Sequence, residues 1–388
     1  MPVTARKNQL YAVALALAGR RCRWKHAEAV GGDLRTLARV ERVWKKHRAV
    51  GGCVQMIRGG HLAETYTAGY ASLYPPRPVR PDAVFRTASI AKAVCALLVM
   101  RLQTLGKLSV EEDVSALWHG AIRNPRHPET AIPLGSLLSH TSGIIDSPLY
   151  FRSFAEDITA DTLLKDGASY TDALPYERFR YSNFAAGLVG SLLEHRFRTS
   201  FEDLIQAELF GPLGVRATFA VTRADETAVA DGYRVLPPKR TPTFDARARF
   251  AASEPIGAPD PQRHFLLASG NLYITAGEMA KLCLAMMNGA GGLIDEKSLE
   301  NLRTTGRGGA AHWQGMRHGM GLFRLEDESV LPRRLYGHQG FAYGAVNGFF
   351  FDEQGNGFVS FSSGASERRA GRLSLMNRDL IRALLLEL

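Results

Sequence analysis

The sequence predicts an α/β chain of the α+β type: one antiparallel sheet built from both termini, flanked by helices, with a mostly helical subdomain inserted between. Three observations predict it. Strand-type segments occur at both ends of the chain, residues from about 83 to 290 read as mostly helical, and residues 373–388 close as an amphipathic helix. In chain order, residues 1–31 form an N-terminal appendage and the domain proper covers 32–388. Residues 33–47 read as a helix. Residues 53–57 and 64–68 make a hairpin around Gly59-Gly60, a pair suited to a tight turn. After the helical region strands return at residues 320–325, 345–352 and 357–362, the last two joined across Glu353-Gln354-Gly355-Asn356. The stretch from Pro237-Pro238 to Pro261 is the longest irregular one and reads as a cleft-rim loop. A cleft between sheet and helices is a favoured place for a ligand site.

Composition agrees with an ordinary folded domain. At 388 residues, 45% hydrophobic and 22% charged, the chain can bury one large core or two subdomains. A formal charge of +10 favours anionic partners, yet the arginines are dispersed and no nucleic-acid module is visible. Cys22, Cys53, Cys95 and Cys283 are scattered and read as free thiols. There is no metal-ligand spacing, phosphate loop or dinucleotide fingerprint, so neither a metal nor a cofactor is implied. No stretch reaches the roughly 20 apolar residues of a spanning helix. At the N-terminus, Arg6-Lys7, the apolar residues 10–17 and Ala16-Leu17-Ala18 resemble an export signal. Arg20, Arg21, Arg23 and Lys25 follow at once and oppose export; an amphipathic helix explains the stretch equally well, so a cytoplasmic location is somewhat favoured and export stays open.

Three segments carry chemistry: Ser89-Ile90-Ala91-Lys92, Tyr181-Ser182-Asn183 and His338-Gln339-Gly340. Ser-x-x-Lys alone arises by chance about once in a chain of this size. Here it opens an apolar helix (Val94, Leu97, Leu98, Met100, Leu102), so Ser89 falls where backbone N–H groups lack intrahelical partners. The bland alternative makes Ser89 an N-cap and Lys92 a solvated first-turn residue. A lysine is disfavoured at the positive end of a helix, however, and Ala93-Val94-Cys95 after it reads as buried. A buried amine tends to lose its proton, which suits a base beside a serine. Tyr181-Ser182-Asn183 lies at a second loop-to-helix junction, before the apolar helix 185–193; its bland reading is a cap. His338-Gln339 lies between glycines and leads into a buried strand, where glycine often marks close approach of another backbone. Its bland reading is a satisfied core histidine.

Together these segments resemble the serine β-lactamase-related hydrolases of the penicillin-recognising group. That group takes in class C β-lactamases, D,D-carboxypeptidases, D-aminopeptidases and family VIII esterases. The resemblance extends to Leu137-Leu138-Ser139-His140-Thr141-Ser142-Gly143, to Gly106-Lys107-Leu108-Ser109 with Asp113-Val114, and to Ala268-Ser269-Gly270-Asn271-Leu272-Tyr273. It implies a β-lactamase/transpeptidase-like fold and a covalent acyl-enzyme at Ser89. Lys92 and Tyr181 would share the general-base work, and Asn183 would orient Lys92 and bind substrate. The backbone N–H groups of Ser89 and Phe341, the latter after Gly340, would form the oxyanion hole. The ionised phenol would need positive charge beside it, with Lys92 and His338 as the sources. The partners so implied are small esters, amides or D-amino-acid peptides.

Departures from the pattern matter as well. Ser-Asp-Asn and an acidic deacylation loop are absent, which opposes class A β-lactamase chemistry. His-Gln-Gly stands where relatives carry Lys-Thr-Gly; Gln339 is neutral and bulkier, and Phe341 replaces a small residue. This favours an esterase or D-peptidase over a β-lactamase, which stays as an alternative within the class. A non-catalytic sensor module is the alternative outside it. His140 with Asp146 could suggest a Ser-His-Asp site, but His140 reads as a structural histidine pinning a loop. There is no Gly-x-Ser-x-Gly elbow.

Overall fold

The computed structural model describes Trp24 and residues 26–236, 239–244, 248, 256–304 and 316–386. The N-terminal residues 10–17 and Cys22 lie outside the described residues. Both ends of the chain meet in one sheet. Strands β1 (Ala27–Val30), β2 (Gly51–Arg58) and β3 (His61–Leu73) come from the N-terminal part. From the C-terminal part come β4 (Met316–His318), β5 (Phe323–Leu325), β6 (Leu335–Ala342), β7 (Ala345–Phe351) and β8 (Gly357–Ser362). Their order is β1-β3-β2-β8-β7-β6-β5-β4, with Pro76–Pro78 added to β3. Every neighbour pair is antiparallel, and β8 against β2, with Val359 opposite Gln55, is the seam between the two halves.

Both faces are covered, which is why these strands read as nearly continuous apolar runs. On one face pack α1 (Leu34–Lys46), capped by Asp33, and α5 (Leu375–Leu385), through Val40, Trp44, Leu380, Ile381 and Leu384. Asp379 ties the two helices together by accepting from Lys46 and pairing with His47. On the other face lies the helical region with α2 (Ile90–Thr104), α3 (Asn183–Phe197) and α4 (Ala276–Asn288). Helix α2 is buried nearly all round from Ile90 to Leu102, as a central core helix is. Cys53, Cys95 and Cys283 are buried free thiols. Among the described residues no helix is long and apolar enough to cross a membrane.

Several boundaries move. Strand β1 pairs with β3, so part of the expected 1–31 appendage belongs to the sheet. The expected strand 320–325 begins only at Phe323, as β5; β4 lies before it at 316–318, and Gly321 between them, at φ 100°, turns the chain against α2, where its hypothetical Cβ would lie 2.3 Å from that of Ala96. The terminal helix starts at Leu375 rather than 373. Arg369–Ala370 (β9) and Leu373–Ser374 (β10) form a small hairpin first, and Ser374 then caps the helix. The irregular stretch after 237 includes a strand, Lys239–Phe244, paired with Gly232–Leu236. This hairpin reaches the β6–β7 turn, where the Thr243 hydroxyl donates to the carbonyl of Tyr343.

Candidate active site

The cleft lies between α2 and α3 on one wall and the edge of β6 on the other. Val84–Arg86 is fixed against Tyr273–Thr275, and Thr87 N–H donates to Leu272 O over 2.9 Å. Ala88 then takes a left-handed φ of 55°, a conformation costing roughly 1–2 kcal/mol in an L residue, and swings the chain into α2. Ser89 follows with helical dihedrals and makes no capping bond through its side chain. The bland reading of Ser89 as an N-cap is therefore not what the geometry contains. Because α2 is enclosed on all sides, Lys92 one turn along is drawn inside, and only 4% of it is exposed.

Lys92 Nζ donates to Asn183 Oδ1 over 2.9 Å and to the carbonyl of Ser269, and it lies 3.2 Å from Ser89 Oγ. Two of its three hydrogen-bonding directions thus end on carbonyl oxygens, which leaves the third for the serine. Asn183 is itself held by Asp146. Asp146 Oδ2 accepts from Asn183 Nδ2 at 2.8 Å, while Oδ1 accepts from the Ser182 hydroxyl and from Phe184 N–H. That carboxylate covers the start of α3, where anions are favoured, and it turns the Asn183 oxygen toward Lys92. Tyr181 lies with Lys92 Nζ 5.3 Å from its ring centroid.

His140 does pin the loop: its Nδ1 accepts from Ser182 N–H over 3.2 Å, and its ring lies 4.2 Å from that of Tyr181. In a neutral ring the proton is then on Nε2. Burial holds His140 well below the usual histidine range, with His318 and Lys92 adding to the effect. Asp146, engaged at α3, makes no Ser-His-Asp triad with it.

Across the cleft, the pairing of β5 with β6 ends at Gly337, and the edge of β6 beyond it faces α2. Gly340 is required there, because a Cβ at this position would lie 2.0 Å from Thr87 O. His338 is buried, and its Nδ1–H donates to its neighbour's carbonyl, Gln339 O, over 2.7 Å. Burial first, then the charge of Lys92, pushes its pKa down to about 3. The expectation that His338 is cationic and holds Tyr181 ionised is therefore corrected: a dry site beside an ammonium keeps it neutral.

A second correction concerns Gln339. The pleat turns its side chain to the opposite face of the sheet, where Oε1 accepts from Ser374 N–H (2.9 Å) and Asn377 Nδ2 (3.0 Å) and Nε2 donates to Arg372 O (3.1 Å). Gln339 still lines the cleft, but its carboxamide is engaged by Arg372, Ser374 and Asn377. Phe341 lies half-buried with the Arg369 guanidinium 4.1 Å from its ring centroid.

The structure thus brings Ser89, Lys92, Tyr181 and Asn183 together on one wall and His338, Gly340 and Phe341 on the other. The open cleft between them encloses about 400 Å³. Sequence reasoning missed Asp146 as a positioning group, the Ser269 carbonyl, half-buried His318, and Arg369 with Arg372. The local run Arg368-Arg369-Ala370-Gly371-Arg372 was the available signal for the last pair, against the impression of dispersed arginines. Among the described residues no His/Cys/Asp/Glu group could hold a metal ion.

Sheet, inserted helices and cleft in this arrangement define a chain of the β-lactamase/transpeptidase type. The family model described as Beta-lactamase matches residues 37–381, and the chain belongs to that family. It is 30% identical over 192 residues to penicillin-binding protein 4* of Bacillus subtilis (strain 168), a match covering 47% of this chain and 40% of that protein. It is 25% identical over 382 residues to esterase EstB of Burkholderia gladioli, covering 88% of this chain and 93% of the esterase. Among solved structures, D-amino acid amidase from Ochrobactrum anthropi SV3, complexed with D-phenylalanine, superposes with a TM-score of 0.66 at 21% identity. That superposition covers 90% of this chain and 98% of the amidase.

Proposed function

We propose that the protein is a serine acyl-hydrolase that forms a covalent acyl-enzyme at Ser89 on an ester or amide, of the esterase or D-amino-acid peptidase type. The observation that carries this reading is the aim of Lys92: two carbonyl oxygens take two of its N–H bonds and leave the third direction on Ser89 Oγ. In the amine form that direction holds a lone pair, and it accepts the hydroxyl proton as Oγ attacks the substrate carbonyl. The tetrahedral oxyanion is met by the N–H groups of Ser89 and Phe341, each such donor worth roughly 3–4 kcal/mol. The proton passes through Tyr181 to the leaving alkoxide or amine, which departs as the acyl-enzyme forms. A water then enters, loses its proton to the same pair, and releases the acid and the free serine. EstB, matched over nearly its whole length, supports the ester side of the reading. The amidase, similar in fold, fits the D-amino-acid amide side.

The test is pre-steady-state kinetics with an activated neutral ester such as p-nitrophenyl butyrate. The expected result is a burst stoichiometric with wild-type enzyme and absent from Ser89→Ala. Folded wild type with neither burst nor turnover would overturn the reading in favour of a binding module.

A further inference from the structure

His318 ends β4 opposite Phe323 of β5, and the turn after it is pressed against α2 at Gly321. Its ring is held by other rings. It lies 4.8 Å from Phe179 and 6.3 Å from Tyr181 on the helical side, and 5.7 Å from Phe323 and 6.3 Å from His338 on the sheet side. His318 therefore belongs to neither wall alone but joins the two. It also separates two spaces: it lines the open cleft with Ser89 and Tyr181, and a small closed cavity with Lys92, His140 and His338. Among the described residues no protein group is hydrogen-bonded to either of its ring nitrogens. Ring packing fixes where the imidazole sits and leaves its polar atoms for water or a ligand. Burial pushes its pKa down to about 3, so the ring is neutral, with one N–H and one lone pair.

An acyl-enzyme at Ser89 has a use for that lone pair. The hydrolytic water brings two O–H groups. One gives its proton to the Lys92–Tyr181 pair, and the other needs a fixed acceptor if the oxygen is to be aimed at the acyl carbon. Few side chains lining the cleft can supply one. The guanidiniums of Arg369 and Arg372 only donate. Asn183 Oδ1 accepts from Lys92, and Gln339 Oε1 accepts from Ser374 N–H and Asn377 Nδ2. His338 keeps a lone pair on Nε2, but it is buried, whereas His318 is the more exposed of the two and lies beside Tyr181.

We propose that His318 is a further catalytic residue of the hydrolytic half-reaction: its imidazole accepts one O–H of the attacking water and orients it beside Tyr181. The inference rests on the acyl-hydrolase reading above and deepens it. The water oxygen bonds to the acyl carbon while one of its protons passes to the Lys92–Tyr181 pair. The second O–H stays intact and donates to His318. The bond from the acyl carbon to Ser89 Oγ then breaks, Oγ takes a proton back from the pair, and the acid leaves. His318 neither gains nor loses a proton.

Burst kinetics on p-nitrophenyl butyrate separate the two halves, acylation as the burst rate and deacylation as the rate after it. His318→Phe keeps an aromatic ring in the same packing, so the burst should persist near the wild-type rate. The rate after it should fall by severalfold to about tenfold, the worth of one hydrogen bond. Asn and Gln carry a neutral acceptor oxygen, one near the place of Nδ1 and the other near that of Nε2. At least one of His318→Asn and His318→Gln should therefore recover most of the loss. Methanol supplies a readout that a structural role would not move: its single O–H goes to the base, and none is left for His318. With methanol added, the ratio of methyl butyrate to butyrate should rise in His318→Phe by the factor that hydrolysis loses. Thermal melts check folding, and His318→Leu, likewise without an acceptor, is the second variant should the first not fold. An unchanged rate after the burst, a loss shared equally by burst and turnover, or an unchanged product ratio overturns the inference. Each of these leaves a burst at Ser89 and the parent reading standing. The absence of a burst on every ester in the wild type sinks the parent reading and this one with it.

Discussion

The two walls of the cleft are built on different principles. On the helical wall, Lys92, Asn183, Asp146 and Ser182 form one chain of hydrogen bonds in which every polar atom has a fixed direction. On the sheet wall, the groups that face the ligand are held by packing and ring stacking: a neutral histidine, a backbone edge kept clear by Gly340, and two arginines on aromatic rings. The first arrangement fixes where a proton goes. On the proposed acyl-hydrolase reading, the second shapes the space that the substrate enters. A substitution on the helical wall should therefore change kcat across all substrates, while one on the sheet wall should change the ranking of substrates.

The largest effect expected is at Lys92. Lys92→Ala removes the group aimed at Ser89 Oγ and should lower kcat by at least about a hundredfold, with Tyr181→Phe of similar size. Stopped-flow acylation measured across several esters checks this; a loss confined to one ester would dissolve the contrast between the walls. Gly340→Ala should come next. Its Cβ would collide with Thr87 O, so β6 must retreat from α2, at a stability cost of about 1–3 kcal/mol and with a hole donor displaced. Urea denaturation and acylation rates read the two consequences separately. Wild-type values for both would mean that the close approach of these backbones does not matter.

Asp146 offers a finer test. Asp146→Asn keeps an oxygen for Phe184 N–H and the Ser182 hydroxyl but puts an amide nitrogen against Asn183 Nδ2. Two donors cannot face each other, so the Asn183 amide should flip and present its nitrogen to Lys92. Loss of one hydrogen bond to a charged group corresponds to about a tenfold fall in kcat. Thermal stability should fall less than in Asp146→Ala, which also removes the cover at the start of α3. A wild-type kcat in folded Asp146→Asn, with stability lost in both variants, would show that Asp146 serves only the fold.

What the sequence made legible follows the same division. Helix α2 and the hairpin β2–β3 are written in local periodicity, and Ser89 and Lys92 are one helical turn apart, a spacing that needs no tertiary knowledge. Tyr181 to Asn183 were readable because a loop ends and an apolar helix begins there. Asp146 was not readable, since it lies 36 to 38 residues before the groups that it binds. The direction of Gln339 was not readable for a related reason. Side chains alternate along a strand, and which face a residue takes is fixed only once β6 is in register with β7, here Gln339 opposite Gly348. The charge state of His338 depends on burial and on Lys92, 246 positions away by number, which motif spacing does not encode.

The smallest effect expected concerns stability rather than rate, and it separates the walls by pH. His338 has a folded-state pKa of about 3 against an ordinary 6.5, so the unfolded chain takes up a proton that the folded chain refuses. Stability from this residue is fully present above about pH 6.5 and is lost as pH falls toward about 3, because over that window the unfolded state binds more protons. His318, packed 6.3 Å from it, is shifted in the same direction by desolvation and by His338 and Arg372. His338→Gln keeps a polar side chain that does not titrate, and it should flatten part of the fall in melting temperature between pH 7 and pH 4. If the fall is as steep in the variant as in the wild type, acid sensitivity resides elsewhere, for instance in the paired carboxylates Asp113 and Asp379, whose pKa values are lowered. A shallower fall would instead tie the neutrality of the sheet wall to the dry packing of His338 between Phe323 and His318.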